Sequence, residues 1–92
     1  MLLSIIVPIR NEIAYISNSF NSIIKAASKL ECEIFFVDGK SDDGTYEWLQ
    51  NVTKKIKNCK LVVNNEKYVS HGFNQIFKHA KGKYISRIDG HT

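Results

Sequence analysis

The sequence ends in RIDGHT, in which two residues of types that commonly bind metals lie two positions apart. Asp89 and His91 flank Gly90 directly after an apolar run. Mg²⁺ prefers oxygen ligands and is shared with phosphates, whereas Mn²⁺ also accepts imidazole. The spacing fits a metal site for a phosphate-bearing ligand, and it fits equally well an aspartate that caps the next turn beside a surface histidine.

A second polar stretch, VDGKSDDGT, follows another apolar run. Gly39 is predicted to allow a turn that is sharp or has positive φ, and Asp43 is predicted to cap the helix that follows. This turn leaves Asp38 unexplained. A carboxylate at a strand end accepts hydrogen bonds from a nucleobase N–H or a ribose hydroxyl, so we predict that Asp38 contacts a ligand.

Glycine-rich phosphate loops are absent from the sequence. Neither G-x-G-x-x-G nor G-x-x-x-x-G-K-[ST] occurs, which removes the dinucleotide fingerprint and the P-loop. The phosphates of a bound nucleotide would therefore need another source of positive charge. A divalent cation held by Asp89 and His91 would supply it.

The elements that position these residues alternate between two periodicities. Four apolar runs predict strands, at Leu2–Ile9, Glu33–Asp38, Lys60–Asn64 and Tyr84–Asp89. Three segments of helical spacing lie between them, at Ile13–Ala27, Leu49–Ile56 and Phe73–Ala80, the last ended by Gly82 in a left-handed conformation. The order β-α-β-α-β-α-β predicts one α/β domain over residues 1–92, a Rossmann-like open parallel sheet of about four strands with three helices.

Ligands of such sheets bind beyond the carboxyl ends of the strands, where the strand order reverses. The residues just past the four predicted strands are 8–12, 38–45, 64–67 and 89–92. The polar chemistry of the chain concentrates in these segments, which predicts that they form one site.

Composition limits the class of protein. The 92 residues are 43% hydrophobic and 24% charged, which is typical of a globular domain and excludes disorder. The formal charge of +4 is too diffuse to indicate nucleic acid, and the run Lys54, Lys55 and Lys57 is interpreted as the solvated face of a helix that turns Ile56 inward.

Cys32 and Cys59 carry no metal or redox spacing, so each is interpreted as a small core hydrophobe in a reducing, cytoplasmic setting. The apolar amino terminus is short and has no basic segment before it. It is therefore interpreted as neither a signal peptide nor a membrane span.

Three stretches together resemble a known family. LLSIIVPIRNE, VDGKSDDGT and AKGKYISRIDGHT, in this order and spacing, resemble the amino-terminal half of family 2 inverting glycosyltransferases of the GT-A fold. The resemblance implies a nucleotide pocket to which the base-binding Asp38 and the following residues belong: Pro8, Arg10, Asn11, Glu12, Lys67 and Asp89. It also implies that Asp89-Gly90-His91 takes the place of the family's Asp-x-Asp motif, which binds the diphosphate through Mn²⁺ or Mg²⁺.

The chain departs from the family pattern at two positions. His91 stands where the motif has a second aspartate, and Gly39 stands where many members have an aspartate. The first departure leaves open whether the imidazole holds the metal.

The resemblance further implies transfer of a sugar, with inversion, from a nucleoside diphosphate sugar to a glycan or lipid-linked acceptor. A UDP-sugar is the family default. The general base is expected beyond residue 92, so the chain is interpreted as a fragment of a longer enzyme that works in the cytoplasm at the inner face of the membrane. Because its last strand would leave an exposed sheet edge, we also predict a homo-oligomer.

Two other classes of protein remain as alternatives. A nucleotidyltransferase would show a glycine-rich basic loop after the first strand, and VPIRNE has no glycine. A non-catalytic α/β module such as a receiver domain would show an acidic pair there, which is also missing. Metal-dependent nucleotide binding would separate a nucleotide-dependent enzyme from a non-catalytic module.

Overall fold

The computed structural model describes residues 2–63 and 81–88. These residues form strands β1 (Leu3–Ile9), β2 (Cys32–Asp38), β3 (Cys59–Val63) and β4 (Tyr84–Arg87), and helices α1 (Ile16–Ala27) and α2 (Thr45–Thr53). The strand order is β3-β2-β1-β4, and every neighbouring pair is parallel. The predicted α/β class and the four-stranded parallel sheet are confirmed, while the predicted third helix lies outside the described residues.

The two central strands are buried on both faces, which explains why their sequences are almost continuously apolar. All seven residues of β2 are buried, as are five of the seven in β1. On the face covered by both helices, Phe36 stacks on Phe20 with ring centroids 5.0 Å apart, and Trp48 meets Phe20 edge-on at 5.4 Å. This aromatic cluster ties α1 and α2 to the middle of the sheet.

Both cysteines begin strands and are buried in this core as free thiols. Burial raises the pKa of Cys32, and burial together with the neighbouring Cys32 raises the pKa of Cys59 to about 11. Each therefore packs as an uncharged small hydrophobe, as predicted.

Neither helix has the bounds that its apolar periodicity predicts: α1 begins later than expected, and α2 both begins and ends earlier. Helix α1 begins at Ile16, because residues 13–15 form a turn instead of helix. In this turn the N–H groups of Tyr15 and Ile16 both donate to the Glu12 carbonyl. Ile13 thus precedes the helix and is exposed. Helix α2 ends at Thr53, and Ile56 packs on the core from the turn beyond it.

A buried polar cluster joins three strands at the edge of the sheet where the strands begin, here called the amino edge. Glu33 is 3% exposed and Ser4 is fully buried. Glu33 Oε2 accepts hydrogen bonds from Ser4 Oγ at 2.6 Å and from the Lys81 N–H at 2.6 Å, and Ser4 Oγ accepts the Gly82 N–H at 2.9 Å. We call these four residues the Glu33 clamp, because they fasten the chain entering β4 to the starts of β1 and β2.

Gly82 has a different role from the predicted left-handed helix end. Among the described glycines only Gly44 has a positive φ. A Cβ at Gly82 would lie 2.4 Å from the Ser4 nitrogen and 2.6 Å from the Leu3 carbonyl carbon. Glycine is therefore needed for close approach of two backbones rather than for its conformation.

Stability should depend on pH through Glu33. Burial by itself raises the pKa of this carboxyl, but hydrogen bonds from Ser4, Lys81 and Gly82 and the charge of Lys60 outweigh it and lower the pKa below its ordinary 4.5. A lowered folded pKa means that this stabilisation is complete above pH 4.5 and is lost as the pH falls through the folded value.

Urea unfolding measured from neutral pH downward should show that the free energy of unfolding declines below about pH 4.5. Glu33→Gln should flatten the decline but not abolish it, because hydrogen bonding from Thr45 also lowers the pKa of Asp43. An unchanged slope in the variant would contradict the assignment to Glu33.

Candidate nucleotide-binding site

The candidate site lies at the opposite, carboxyl edge of the sheet. The chain adds β2 and β3 on one side of β1 and β4 on the other, so the order reverses between β1 and β4 and a crevice is expected there. Asp38 ends β2 in register with Ile9, the last residue of β1. The predicted residues Arg10, Asn11 and Glu12 follow directly.

Pro8 indicates where the expected crevice opens. Along a parallel strand, the backbone N–H and C=O groups of successive residues point alternately to the strand on one side and to the strand on the other. The Ile6 carbonyl accepts the Ile88 N–H at 2.9 Å. The backbone groups of Ile6 and Pro8 therefore both point toward the β4 side. Proline has no N–H to donate. The last β1–β4 register pair is Ile6 with Arg87, and among the described residues β1 continues past it with β2 as its one neighbouring strand.

The loops after β1 and β2 are joined by reciprocal hydrogen bonds. The Asn11 N–H donates to Ser41 Oγ at 2.9 Å, and Asn11 Oδ1 accepts the Asp42 N–H at 2.8 Å. Asn11 has a φ of 50°, a left-handed conformation that asparagine tolerates better than most residues. The two loops therefore form one surface.

Two further contacts extend this connection to the start of α2. The Glu12 N–H donates to Thr45 Oγ1 at 3.0 Å, and the Ile13 N–H donates to Asp43 Oδ2 at 3.1 Å. The sequence suggested only turn and cap chemistry for residues 41–45. Their contacts with the β1 loop were missed, because they depend on the pairing of β1 with β2.

The predicted cap needs a correction. The N-cap residue of α2 is Gly44, with a φ of 101°, and it offers no side-chain bond. Asp43, one residue earlier, accepts the Thr45 N–H at 3.0 Å and also holds the Ile13 N–H. Its carboxylate therefore satisfies one helix N–H and one loop N–H together.

Of the two alternatives for Gly39, the positive φ is wrong, because that conformation occurs one residue later, at Lys40, with a φ of 60°. Gly39 is buried instead. A Cβ there would lie 3.5 Å from both Cβ and Cδ of Arg10. The stem of Arg10 thus lies over Gly39, which positions the arginine at the carboxyl edge.

Asp38 is the most unusual side chain of the site. It is 1% exposed, and its Oδ2 accepts the Ser41 N–H at 2.9 Å. Within the described part of the chain, Oδ1 is buried without a hydrogen-bond partner. Buried polar atoms are nearly always paired, so this oxygen needs a donor from outside the described residues.

The other predicted site residues, Lys67, Asp89 and His91, lie outside the described residues. Within residues 2–63 and 81–88, no group of three or more His, Cys, Asp or Glu side chains is arranged to hold a metal ion. The structure therefore leaves the predicted metal site as a prediction.

Comparison with known proteins decides the family. The sequence profile of glycosyl transferase family 2 matches residues 4–92. The chain belongs to this family. Its fold is that of the GT-A glycosyltransferases, and family membership does not favour a nucleotidyltransferase or a receiver-like module.

Three similar proteins illustrate the relationship. The chain is 32% identical over 93 residues to the dolichyl N-acetyl-alpha-D-glucosaminyl phosphate 3-beta-D-2,3-diacetamido-2,3-dideoxy-beta-D-glucuronosyltransferase of Methanococcus voltae, a match that covers 98% of this chain and 29% of the relative. It superimposes with a TM-score of 0.74 and 28% identity on S. aureus TarS 1–349 in complex with UDP, covering 98% of this chain and 27% of TarS 1–349. The mannosyltransferase PcManGT from Pyrobaculum calidifontis, in complex with GDP-Man and Mn²⁺, shares the fold with a TM-score of 0.77 at 24% identity, covering 96% and 27% of the two chains.

This family 2 chain thus spans less than a third of each of these proteins. In the described part of the chain, neither helix has the length and apolar character needed to cross a bilayer.

Proposed function

We propose that residues 1–92 are the amino-terminal nucleotide-sugar-binding portion of a longer glycosyltransferase. The observation that carries this proposal is Asp38, a buried carboxylate at the carboxyl edge of a family 2 sheet, one oxygen of which finds no hydrogen-bond donor among the described residues. The joined loops around Asn11 would supply a preformed wall next to it.

Asp38 Oδ1 would accept a hydrogen bond from a nucleobase. Uracil presents its ring N3–H as a donor, and the similar TarS structure contains UDP. Oδ2 is already held by the Ser41 N–H, so the carboxylate is fixed before the ligand arrives. We therefore propose a UDP-sugar as the donor.

The remaining contacts would come from both sides of the crevice. Pro8, Arg10, Asn11 and Glu12 would line the nucleoside, with Arg10 aimed by its packing over Gly39. Lys67 would lie near the base and the diphosphate.

A divalent cation would hold the diphosphate through Asp89 and His91. One carboxylate and one imidazole are a donor set that Mn²⁺ accepts and that Mg²⁺ accepts less readily. When bound, the ion would neutralise the negative charge that develops on the departing nucleoside diphosphate. The mannosyltransferase PcManGT, which shares this fold, is in complex with Mn²⁺.

The complete enzyme would transfer the sugar with inversion to a glycan or lipid-linked acceptor, in the cytoplasm at the inner face of the membrane. A general base must deprotonate the attacking hydroxyl, and we propose that it comes from beyond residue 92. Self-association through the outer edge of β4 stays a prediction, which light scattering of the concentrated chain would test.

Calorimetric titration of UDP into the 92-residue chain tests the proposal. We expect binding in the presence of Mn²⁺ and loss of most of the affinity on addition of EDTA. Binding of CDP as tight as that of UDP would contradict the assignment of base recognition to Asp38, because the cytosine ring nitrogen is an acceptor at that position. No binding of UDP at all would contradict donor binding by this chain.

Asp38→Asn should weaken UDP binding by about tenfold to a hundredfold, because a charge-assisted hydrogen bond contributes roughly 1.5–3 kcal/mol. The amide keeps an oxygen for the Ser41 N–H, so thermal stability should change little. Glu47→Gln is the matched control, since it makes the same chemical change at an exposed position of α2. Equal affinities of the two variants would argue against a role for Asp38 in the base site.

A further inference from the structure

The charges of the described residues are divided unequally between the two edges of the sheet. In this fold the strands begin and the helices end at the amino edge. Of the lysines there, two lie in residues 25–29, three in 54–57 and two in 81–83, and Lys60 is the eighth. With Glu31 and Glu33 the amino edge has a formal charge of +6.

The carboxyl edge has the opposite sign. The described residues at the carboxyl edge are 10–12, 38–47 and 87. They contain two arginines, one lysine and five carboxylates, which gives this edge a formal charge of −2. The net +4 of the chain therefore does not describe a weakly basic surface. Over the described residues, a strongly basic edge and an acidic edge sum to +4, and the four charged residues outside them cancel one another.

Exposed apolar side chains lie among the lysines of the amino edge. Leu2 and Leu30 are each 47% exposed, and Tyr84 is 59% exposed. They are neighbours, because the Leu2 N–H donates to the Glu31 carbonyl at 3.2 Å and the Leu2 carbonyl accepts the Tyr84 N–H at 2.9 Å. A single exposed leucine is ordinary, but here three large apolar groups share one band with eight cations.

Two hollows interrupt the same band. One, of about 250 Å³, is lined by Leu30 and by apolar residues of α1 such as Ile24. The other, of about 380 Å³, is lined by Lys57, Lys60 and Lys81 together with Asn58 and the carboxylate of Glu33. The amino edge thus offers apolar and cationic recesses side by side.

We propose that the amino edge is a docking surface for a bilayer that contains anionic phospholipid. The lysines would face the headgroup phosphates, while Leu2, Leu30 and Tyr84 would enter the interfacial layer. A soluble polyanion would satisfy the lysines but would leave the apolar groups in water, so the combination favours a membrane. The inference extends the membrane location given under the proposed function, and it does not depend on donor binding, which the UDP titration measures separately.

Vesicle sedimentation with the 92-residue chain tests the proposal. The chain should bind vesicles of phosphatidylcholine mixed with phosphatidylglycerol, should ignore pure phosphatidylcholine vesicles, and should bind less at raised salt. The triple variant Lys54→Gln, Lys55→Gln and Lys57→Gln should lose about a hundredfold in partitioning, since each lysine near an anionic surface contributes about fivefold.

The matched control is the triple variant Arg10→Gln, Lys40→Gln and Arg87→Gln, which removes the same charge from the carboxyl edge and should keep partitioning within about threefold. Leu2→Ser combined with Leu30→Ser should reduce partitioning even at raised salt, where the electrostatic contribution is screened. Circular dichroism confirms that each variant is folded. Equal losses in the two triple variants, or binding of soluble polyphosphate without binding of anionic vesicles, would overturn the proposal.

Discussion

Gly82→Ala should destabilise the fold by about 3 kcal/mol or more, because an added methyl at this position would overlap backbone atoms rather than a flexible side chain. The methyl carbon would lie 2.4 Å from the Ser4 nitrogen and 2.5 Å from Ser4 Oγ. Relief requires β4 to move away from β1, which also stretches the bond from the Gly82 N–H to Ser4 Oγ. Since domains of this size are stable by only about 5–10 kcal/mol, the loss should be plain in urea unfolding.

Gly39→Ala is the matched control for this prediction. Gly39 is also buried, but a Cβ there meets only ordinary contacts of 3.5–3.6 Å, and its φ is not positive. The free energy of unfolding should therefore change by less than about 1 kcal/mol. If the two variants lost similar free energies of unfolding, the close approach of the backbones at Gly82 would not be the reason that glycine is needed there.

Glu33→Ala should cost about 3 kcal/mol, because it removes the acceptor shared by two donors and leaves the buried Ser4 hydroxyl and the partly buried Lys81 N–H unpaired. These donors lie 2.6 Å from Oε2 in the folded protein. The loss should appear at neutral pH, where the carboxylate is ionised, and should shrink in acid as the wild-type protein loses the same interaction.

Glu47→Ala gives the comparison for Glu33. This exposed glutamate lies in the first turn of α2, where its interaction with the helix dipole contributes about 0.3–1 kcal/mol. Hydrogen exchange of the β4 amides adds a local test, because loss of the Glu33 clamp should release that strand first. A Glu33 variant as stable as the Glu47 variant would show that the clamp does not hold β4.

Much of the fold and part of the site were predictable from local sequence. Apolar runs of strand length that alternate with helical periodicity predicted a parallel sheet, because strands buried on both faces must be apolar throughout. The same pattern placed Asp38 and residues 8–12 at the carboxyl edge. The stretches LLSIIVPIRNE, VDGKSDDGT and AKGKYISRIDGHT, with the resemblance they carry together, pointed to the family that the comparison confirmed.

Helix ends and glycine roles were less predictable, because apolar periodicity does not distinguish a helical residue from one that packs on the core from a turn. Ile13 and Ile56 continue the spacing of their helices and yet lie outside them. The positive φ fell on Lys40 rather than Gly39, since loop conformation depends on the partners that the loop finds.

The sequence by itself determined the order of elements, the burial of the two central strands and the type of residue at each strand end, since these follow from the side-chain pattern along the chain. Only the tertiary structure decided that Glu33 is a buried clamp, that Gly82 is needed for backbone contact and that one oxygen of Asp38 finds no partner among the described residues. Each of these depends on which strands lie side by side. Residues such as Ser4 and Gly82 are 78 positions apart, and no local pattern encodes a contact between them.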